Sequence, residues 1–144
     1  MSVPKGDRGE ADTEFLRTAR ELQVFTIRAV TKFPKRYTFY MSQPMAQMAG
    51  RAYEYVVCAN SIFPSRKSDY ELRRNYLLMA RSELRALVSQ IEIAIEMFGV
   101  GLCSDTGDPD GHKAERWMEL VSTELRLVSG LIKRDSERFG SLTK

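Results

Sequence analysis

Apolar residues recur every three or four positions through four long stretches of the chain, which is the period of an amphipathic α-helix. In the first stretch, from about Asp12 to Lys32, these positions are Phe15, Ala19, Leu22, Phe25 and Ala29. In the second, from about Ser42 to Ile62, they are Met45, Ala49, Ala52, Tyr53, Val56 and Ile62. No stretch alternates apolar and polar residues as a half-buried strand would. The pattern therefore predicts an all-α protein.

Capping residues indicate where the second and third helices begin and end. Ser42 is a good N-cap for the second helix, with Pro44 in its first turn, where the missing N–H costs little. Ser68 and Glu71 fit a capping box that starts the third helix. Gly99 suits the left-handed position just after the end of that helix.

The fourth helix is predicted from about residue 110 to residue 139, with a stripe formed by Trp117, Val121, Leu125, Val128 and Ile132. Four long helices joined by mostly short loops predict an antiparallel up-down four-helix bundle. At 144 residues the chain has the size of one domain. We expect residues 1–11, which combine Gly, Pro and charge, to form a flexible tail, and residues 12–140 to form the bundle.

The third helix carries two separate apolar stripes. The broader one should face the bundle core and consists of Leu77, Ala80, Leu84, Leu87, Ile91, Ile95 and Phe98. The second recurs mainly every seven residues on a different side and consists of Leu72, Met79, Ala86, Ile93 and Met97. Either this long helix is buried all round, or the second stripe is a contact between subunits. The latter interpretation predicts a homo-oligomer.

The composition indicates a soluble globular protein without catalytic chemistry. It is 43% hydrophobic and 28% charged, with a formal net charge of +3. Cys58 and Cys103 belong to no paired motif, and the single histidine, His112, is expected to be a solvated loop residue. We therefore expect no enzyme activity, no metal and no cofactor. The polar N-terminus and the lack of a long apolar run predict a cytoplasmic protein that does not enter a membrane.

Charge is unevenly distributed along the chain. No acidic residue lies between Glu21 and Glu54, a window that contains Arg28, Lys32, Lys35, Arg36 and Arg51. A second basic line on the third helix consists of Arg74, Arg81 and Arg85. In an up-down bundle the end of the first helix and the start of the third lie at opposite ends. The cations are therefore expected to form two patches rather than one.

The basic run around the Phe33-Pro34 break is followed by the aromatic residues Tyr37, Phe39 and Tyr40. Pro34 ends the first helix, because the residue before a proline is disfavoured in the α conformation. Cations beside aromatic rings suit phosphate contact combined with base stacking. The alternative is that basic residues favour helix C-termini because of the helix dipole, while the aromatic rings pack under the end of the bundle.

The segment KFPKRYTF, Lys32–Phe39, at the end of an amphipathic helix, resembles the signature of a family of small four-helix-bundle proteins. The family comprises proteins encoded in intervening sequences of bacterial large-subunit ribosomal RNA genes, and Avd, the accessory variability determinant of diversity-generating retroelements. Arg73-Arg74 followed by Tyr76–Gly99, and Trp117 early in the last helix, extend the resemblance. The longer form FPKRYTFYMSQPM is closer to the Avd-like branch. The other branch is expected to have Arg-Gly-Ser where this chain has Arg81-Ser82-Glu83.

The resemblance implies a homopentameric barrel of bundles that binds a reverse transcriptase, and RNA or DNA, while a template repeat is copied. The matched cations that it suggests as nucleic-acid contacts are Lys32, Lys35, Arg36, Arg73 and Arg74. The charge pattern alone adds Arg28, Arg51, Arg81 and Arg85. No catalytic residue is implied, since polymerisation would belong to the partner. The alternative is a structural or protein-interaction module of the intervening-sequence type, whose cations are solvated surface.

Overall fold

The structure is a computed structural model that describes residues 5–99 and 112–143. These residues form four α-helices, α1 (Lys5–Val30), α2 (Gln43–Asn60), α3 (Lys67–Phe98) and α4 (His112–Phe139). A 3-10 turn at Lys35–Tyr37 and a π-helical turn at Thr38–Ser42 connect α1 to α2, and a 3-10 helix, Gly140–Thr143, follows α4. Within the two described ranges there is no strand, which confirms the all-α prediction.

The helices form an antiparallel ring in chain order. Each packs against the next, and α4 packs back against α1. At one end of the bundle the ring of Phe33 lies 5.0 Å from that of Phe98 and 6.3 Å from that of Trp117, centroid to centroid. At the other end Phe139 contacts Phe63, at 5.9 Å, and Tyr70, at 6.3 Å. Successive helices therefore run in opposite directions, and the predicted up-down four-helix bundle is confirmed.

The core is built by the stripes that the sequence pattern indicates. In α3 the fully buried residues include Leu77, Ala80, Leu84, Leu87 and Ile91. Burial of one large aliphatic side chain contributes about 1.5–3 kcal/mol, so this face alone accounts for much of the drive to fold. In α4 the stripe buries Trp117, Val121, Val128 and Ile132. The same face also buries Glu124 and Asp135, which an apolar pattern does not reveal.

The capping box predicted for α3 is wrong. The helix begins at Lys67, so Ser68 lies inside its first turn instead of preceding it. Among the described residues, no side chain caps the start of α3. Asp69, in its first turn, instead accepts hydrogen bonds from the hydroxyl of Ser65 at 2.9 Å and from the backbone N–H of Ser65 at 3.3 Å, a residue that precedes the helix. These bonds lower the pKa of Asp69, and the bond from the Ser65 hydroxyl has the larger effect.

Ser42 also does not cap its helix. It has a helical conformation, and its hydroxyl donates to the backbone carbonyl of Val30, 3.2 Å away, near the end of α1. Two other boundary predictions are confirmed. Pro44 lies in the first turn of α2, and Gly99 has a φ of +80° just after α3, with its N–H donating to the carbonyl of Ile95. The first helix begins at Lys5, earlier than the predicted Asp12.

A buried ion pair links three helices at the end of the bundle where α3 begins. The guanidinium of Arg73 (α3) donates to both carboxylate oxygens of Asp135 (α4), at 2.6 Å and 3.2 Å. It also donates to the carbonyls of Ala59 and Ile62 at the end of α2, at 3.2 Å and 3.0 Å. The carbonyl of Ala59 also accepts the backbone N–H of Ile62 at 3.2 Å, so Arg73 adds a second donor there and binds the carbonyl of Ile62 just beyond the helix. A bidentate pair with additional hydrogen bonds is the form in which buried charges are tolerated.

Glu124 is a buried acid without a hydrogen-bond partner among the described residues. Its side chain is fully buried on α4, and neither carboxylate oxygen has a hydrogen-bond partner. Burial in apolar surroundings, with a smaller contribution from the nearby negative charge of Glu14 on α1, raises the pKa of Glu124 to about 9. The side chain is therefore a neutral acid at pH 7.

Arg73→Met should lower the free energy of unfolding by about 3–5 kcal/mol, because it leaves Asp135 as an uncompensated buried charge. The matched control is Arg74→Met, at the half-buried neighbouring arginine, which should stay within about 0.5 kcal/mol of wild type. Urea denaturation followed by circular dichroism measures both. Equal destabilisation by the two variants would contradict the role of Arg73, whereas partial recovery in Arg73→Met/Asp135→Leu would support it.

Glu124 should make the protein less stable as the pH rises. The folded pKa lies above the unfolded one, so between about pH 4.5 and pH 9 the native state retains a proton that the unfolded chain has lost. The free energy of unfolding should therefore fall by about 1.4 kcal/mol per pH unit from this group. Glu124→Met removes that slope, and its stability advantage over wild type should grow from pH 5 to pH 9. Glu137→Met, at an exposed site on α4, is the control. Parallel curves for wild type and Glu124→Met would show that Glu124 is ionised in the folded protein.

Candidate nucleic-acid interface

A groove of about 790 Å³ lies between α1 and α4. The contact between these two helices is the least extensive of the four neighbouring helix pairs, which leaves space between them. Phe25, Ala29 and Leu120 are among the apolar residues that line it. The basic residues that line it are Arg17, Arg20, Arg28, Lys32 and Arg116, and the only acidic residue in the lining is Glu21.

Most of the groove cations are not neutralised by neighbouring acids. Glu21 lies 4.0 Å from Arg17 and 3.7 Å from Arg116, so it is shared between those two arginines. Arg20, Arg28 and Lys32 are exposed and form no ion pair with any described residue. Arg28 lies in the last turn of α1 and Lys32 in the turn that follows it, and both line the groove. The groove therefore carries a net positive charge that is available to an anion.

The basic run continues from the groove into the connector after α1. Phe33 is buried between Phe98 and Trp117, and this packing fixes the direction of the chain as it leaves the helix. Lys35 and Arg36 are exposed, and the guanidinium of Arg36 lies over the ring of Tyr37, 5.2 Å from its centroid. The connector thus presents two cations beside the groove and has no acidic residue of its own.

The aromatic residues of the connector do not all pack under the bundle. Tyr37 does so, with its ring 5.3 Å from that of Phe98. Phe39 and Tyr40 are each 80% exposed, the highest values among the exposed large hydrophobic residues. The interpretation that the aromatic residues serve only to close the end of the bundle is therefore wrong for these two rings.

The predicted basic residues of α2 and α3 differ in their availability. The prediction that Arg73 contacts nucleic acid is wrong, because its guanidinium is buried and bonded to Asp135. Arg51 pairs with Glu83 across α2 and α3, with 3.1 Å between Nε and Oε1. Arg74 and Arg81 are half-buried, and Arg85 is exposed. These residues lie away from the α1–α4 groove, so the structure separates the predicted cations into more than one group.

Three groove cations were not singled out from the sequence. Arg17 and Arg20 precede Glu21, and so fall outside the acid-free window that directed attention to Arg28 and the residues after it. Their spacing of three residues is a local signal that places them on one helix face. Arg116 gives no such signal, because it belongs to α4 and only helix packing brings it to the groove.

The second stripe of α3 lies on the surface of the monomer. Leu72, Met79, Ile93 and Met97 are each between 39% and 48% exposed, and Ala86 is half-buried. The interpretation that α3 is buried on all sides is therefore wrong for the monomer. A row of apolar residues on this scale is typical of a surface that contacts another molecule.

In residues 5–99 and 112–143, no group of three or more His, Cys, Asp or Glu side chains is arranged to hold a metal ion. Among the described helices, none has the length and apolar character needed to cross a lipid bilayer. Cys58 is a free, half-buried thiol. Cys103 and the acidic loop around it lie outside the described residues, and His112 is the first residue of α4 rather than a loop residue.

Comparison of the chain with protein-family models, with curated proteins and with solved structures finds no match. The resemblance of Lys32–Phe39 and Tyr76–Gly99 therefore remains an expectation from sequence.

Proposed function

We propose that this protein is a non-enzymatic, oligomeric, nucleic-acid-binding accessory subunit of a reverse transcriptase of the diversity-generating retroelement type. The observation that carries the nucleic-acid part is the row of unpaired cations from Arg20 through Lys32 to Arg36. Lysine and arginine side chains bind phosphates largely by releasing the counterions condensed on a nucleic acid. The reverse transcriptase and the copying of a template repeat come from the resemblance at Lys32–Phe39.

The helix dipole does not account for these cations by itself. It favours basic residues in the last turn of a helix, which covers Arg28 in α1. Arg17 and Arg20 lie in the middle of α1, where the dipole has little effect. Arg116 lies near the start of α4, where the dipole favours acidic residues instead. Arg17 and Arg116 pair with Glu21, and Arg116 also lies 3.6 Å from Glu119, whereas Arg20 has neither a helix-end position nor an ion pair with a described residue. A surface that binds polyanions accounts for Arg20 and for the excess of cations over acids in the groove.

Self-association is the second part of the proposal. The exposed stripe extends along α3 from Leu72 to Met97, so a second copy could cover it over most of the helix. The resemblance implies five copies in a ring. In an oligomer, several copies of the basic surface could bind one long polyanion at the same time. This raises the affinity without new contacts in any single copy.

The oligomer is tested by introducing charge into the stripe. Met79→Glu/Ile93→Glu should give a folded monomer, because two carboxylates would be buried in the subunit contact. Ser122→Glu/Ser136→Glu, which adds the same charge at exposed polar positions of α4, should leave the assembly intact. Light scattering at micromolar concentration measures the mass of each. A monomeric wild-type protein would rule out self-association through α3.

The nucleic-acid site is tested by charge reversal. Lys32→Glu/Lys35→Glu/Arg36→Glu should abolish binding of single-stranded RNA at moderate salt. In wild type, log affinity should fall linearly with log salt concentration, and losing three phosphate contacts should reduce that slope by about 2. The control is Arg126→Glu/Lys133→Glu/Arg134→Glu, which makes the same change in net charge at exposed positions of α4.

Equal loss in both triple variants would mean that only net charge matters, and unchanged binding in the first would remove the proposed site. Undetectable binding by wild type at low salt would favour a protein-interaction module without nucleic-acid binding. Co-expression with a reverse transcriptase encoded beside the gene, followed by pull-down, addresses the partner. We expect the polymerase and RNA to be recovered together with the chain.

A further inference from the structure

We propose that Phe39 and Tyr40 form a platform on which unpaired bases of a single-stranded nucleic acid stack. The inference rests on the proposed function, and it adds the residues that contact bases and the single-stranded nature of the ligand. Both rings are 80% exposed, although burying rings of this size in the core would be strongly favourable.

The backbone of the connector holds both rings in solvent. Residues Thr38–Ser42 form a π-helical turn, a rare conformation that occurs frequently at functional sites. Within this segment the buried side chain is that of Met41. Phe39 and Tyr40 precede it and are directed away from the bundle.

Both ends of the turn are fixed by hydrogen bonds. The hydroxyl of Thr38 donates to the carbonyl of Lys35 at 2.7 Å, and the hydroxyl of Ser42 donates to the carbonyl of Val30. Tyr37 packs against Phe98 just before the turn. The two exposed rings therefore stand on a segment that is held on both sides, and little conformational entropy would be lost when a ligand binds.

The charges around the rings favour a nucleic acid over an apolar protein surface. The nearest charged residues in the sequence are Lys35 and Arg36, both exposed, and no acidic residue occurs between Glu21 and Glu54. A ligand that presents flat aromatic faces together with negative charge matches this arrangement, and single-stranded nucleic acids have that chemistry. Two copies of this surface placed face to face would bring like charges together, which disfavours self-association through it.

The exposed stripe of α3 has a different character. It consists of aliphatic and methionine side chains, and Glu92 and Glu96 lie near its end. The two surfaces therefore suit different partners, a second copy for the stripe and a nucleic acid for the rings.

The platform is tested with Phe39→Ala/Tyr40→Ala. Binding of a single-stranded RNA oligonucleotide should weaken by at least roughly tenfold, the scale of losing base stacking. The salt dependence should keep its wild-type slope, because the phosphate contacts remain. Phe39→Trp/Tyr40→Phe should retain affinity, and the added indole should show fluorescence quenching on binding. The buried Trp117 provides the unquenched background.

Two controls isolate stacking from the loss of an exposed ring. Phe63→Ala removes an exposed aromatic at the opposite end of the bundle and should bind RNA as wild type does. An abasic strand of the same length should bind wild type about as weakly as the normal strand binds the double alanine variant. The double alanine variant should not distinguish the two strands.

Wild-type affinity in Phe39→Ala/Tyr40→Ala would overturn the platform and leave the proposed function in place, provided that binding still depends on salt and on Lys32, Lys35 and Arg36. If light scattering shows that the double alanine variant no longer forms the oligomer, the rings belong to a subunit contact. That result would also overturn the stacking platform. Loss of salt-dependent binding by wild type itself would instead count against the proposed function.

Discussion

One buried ion pair, between Arg73 and Asp135, joins three helices at one end of the bundle. Removing two charges from water is costly, and only a bidentate contact with additional acceptors compensates for it. Here the remaining donors of the guanidinium serve the end of α2 through the carbonyls of Ala59 and Ile62. One side chain therefore sets the position of three helices at this end. Since its partner comes late in the chain, the pair forms only when α4 is in place.

The opposite end uses aromatic packing in place of charge. Phe33 lies against Phe98 and Trp117, while the indole N–H of Trp117 donates to the hydroxyl of Thr26, 3.0 Å away. This packing buries the phenyl ring of the basic run and leaves its cations outside. Phe33, which packs inside the bundle, and the cations of the candidate binding surface thus belong to the same short segment. Substituting Phe33 would therefore disturb both.

The contact between α1 and α4 is the least tightly optimised part of the core. It contains the groove with its basic lining and, further along α4, the unsatisfied acid Glu124. Its neutral form avoids the larger cost of a buried charge, but it still leaves polar atoms without partners. Glu124 differs from other buried polar groups of the bundle, since Arg73 and Asp135 bond to each other and the hydroxyl of Thr26 accepts from Trp117.

Local pattern alone determined the four helices, the core stripe of α3, the end of α1 shortly before Pro34 and the role of Gly99, because helical period and backbone restriction act within a few residues. Which cations reach solvent was decided only by the tertiary structure. Arg73 and Arg74 are adjacent and chemically identical, yet only Arg73 is buried, where it pairs with a carboxylate 62 residues further along the chain. Arg116 reaches the groove only because α4 packs on α1. The exposure of Phe39 and Tyr40 likewise depends on Phe33, Tyr37 and Met41 having filled the space beneath the connector.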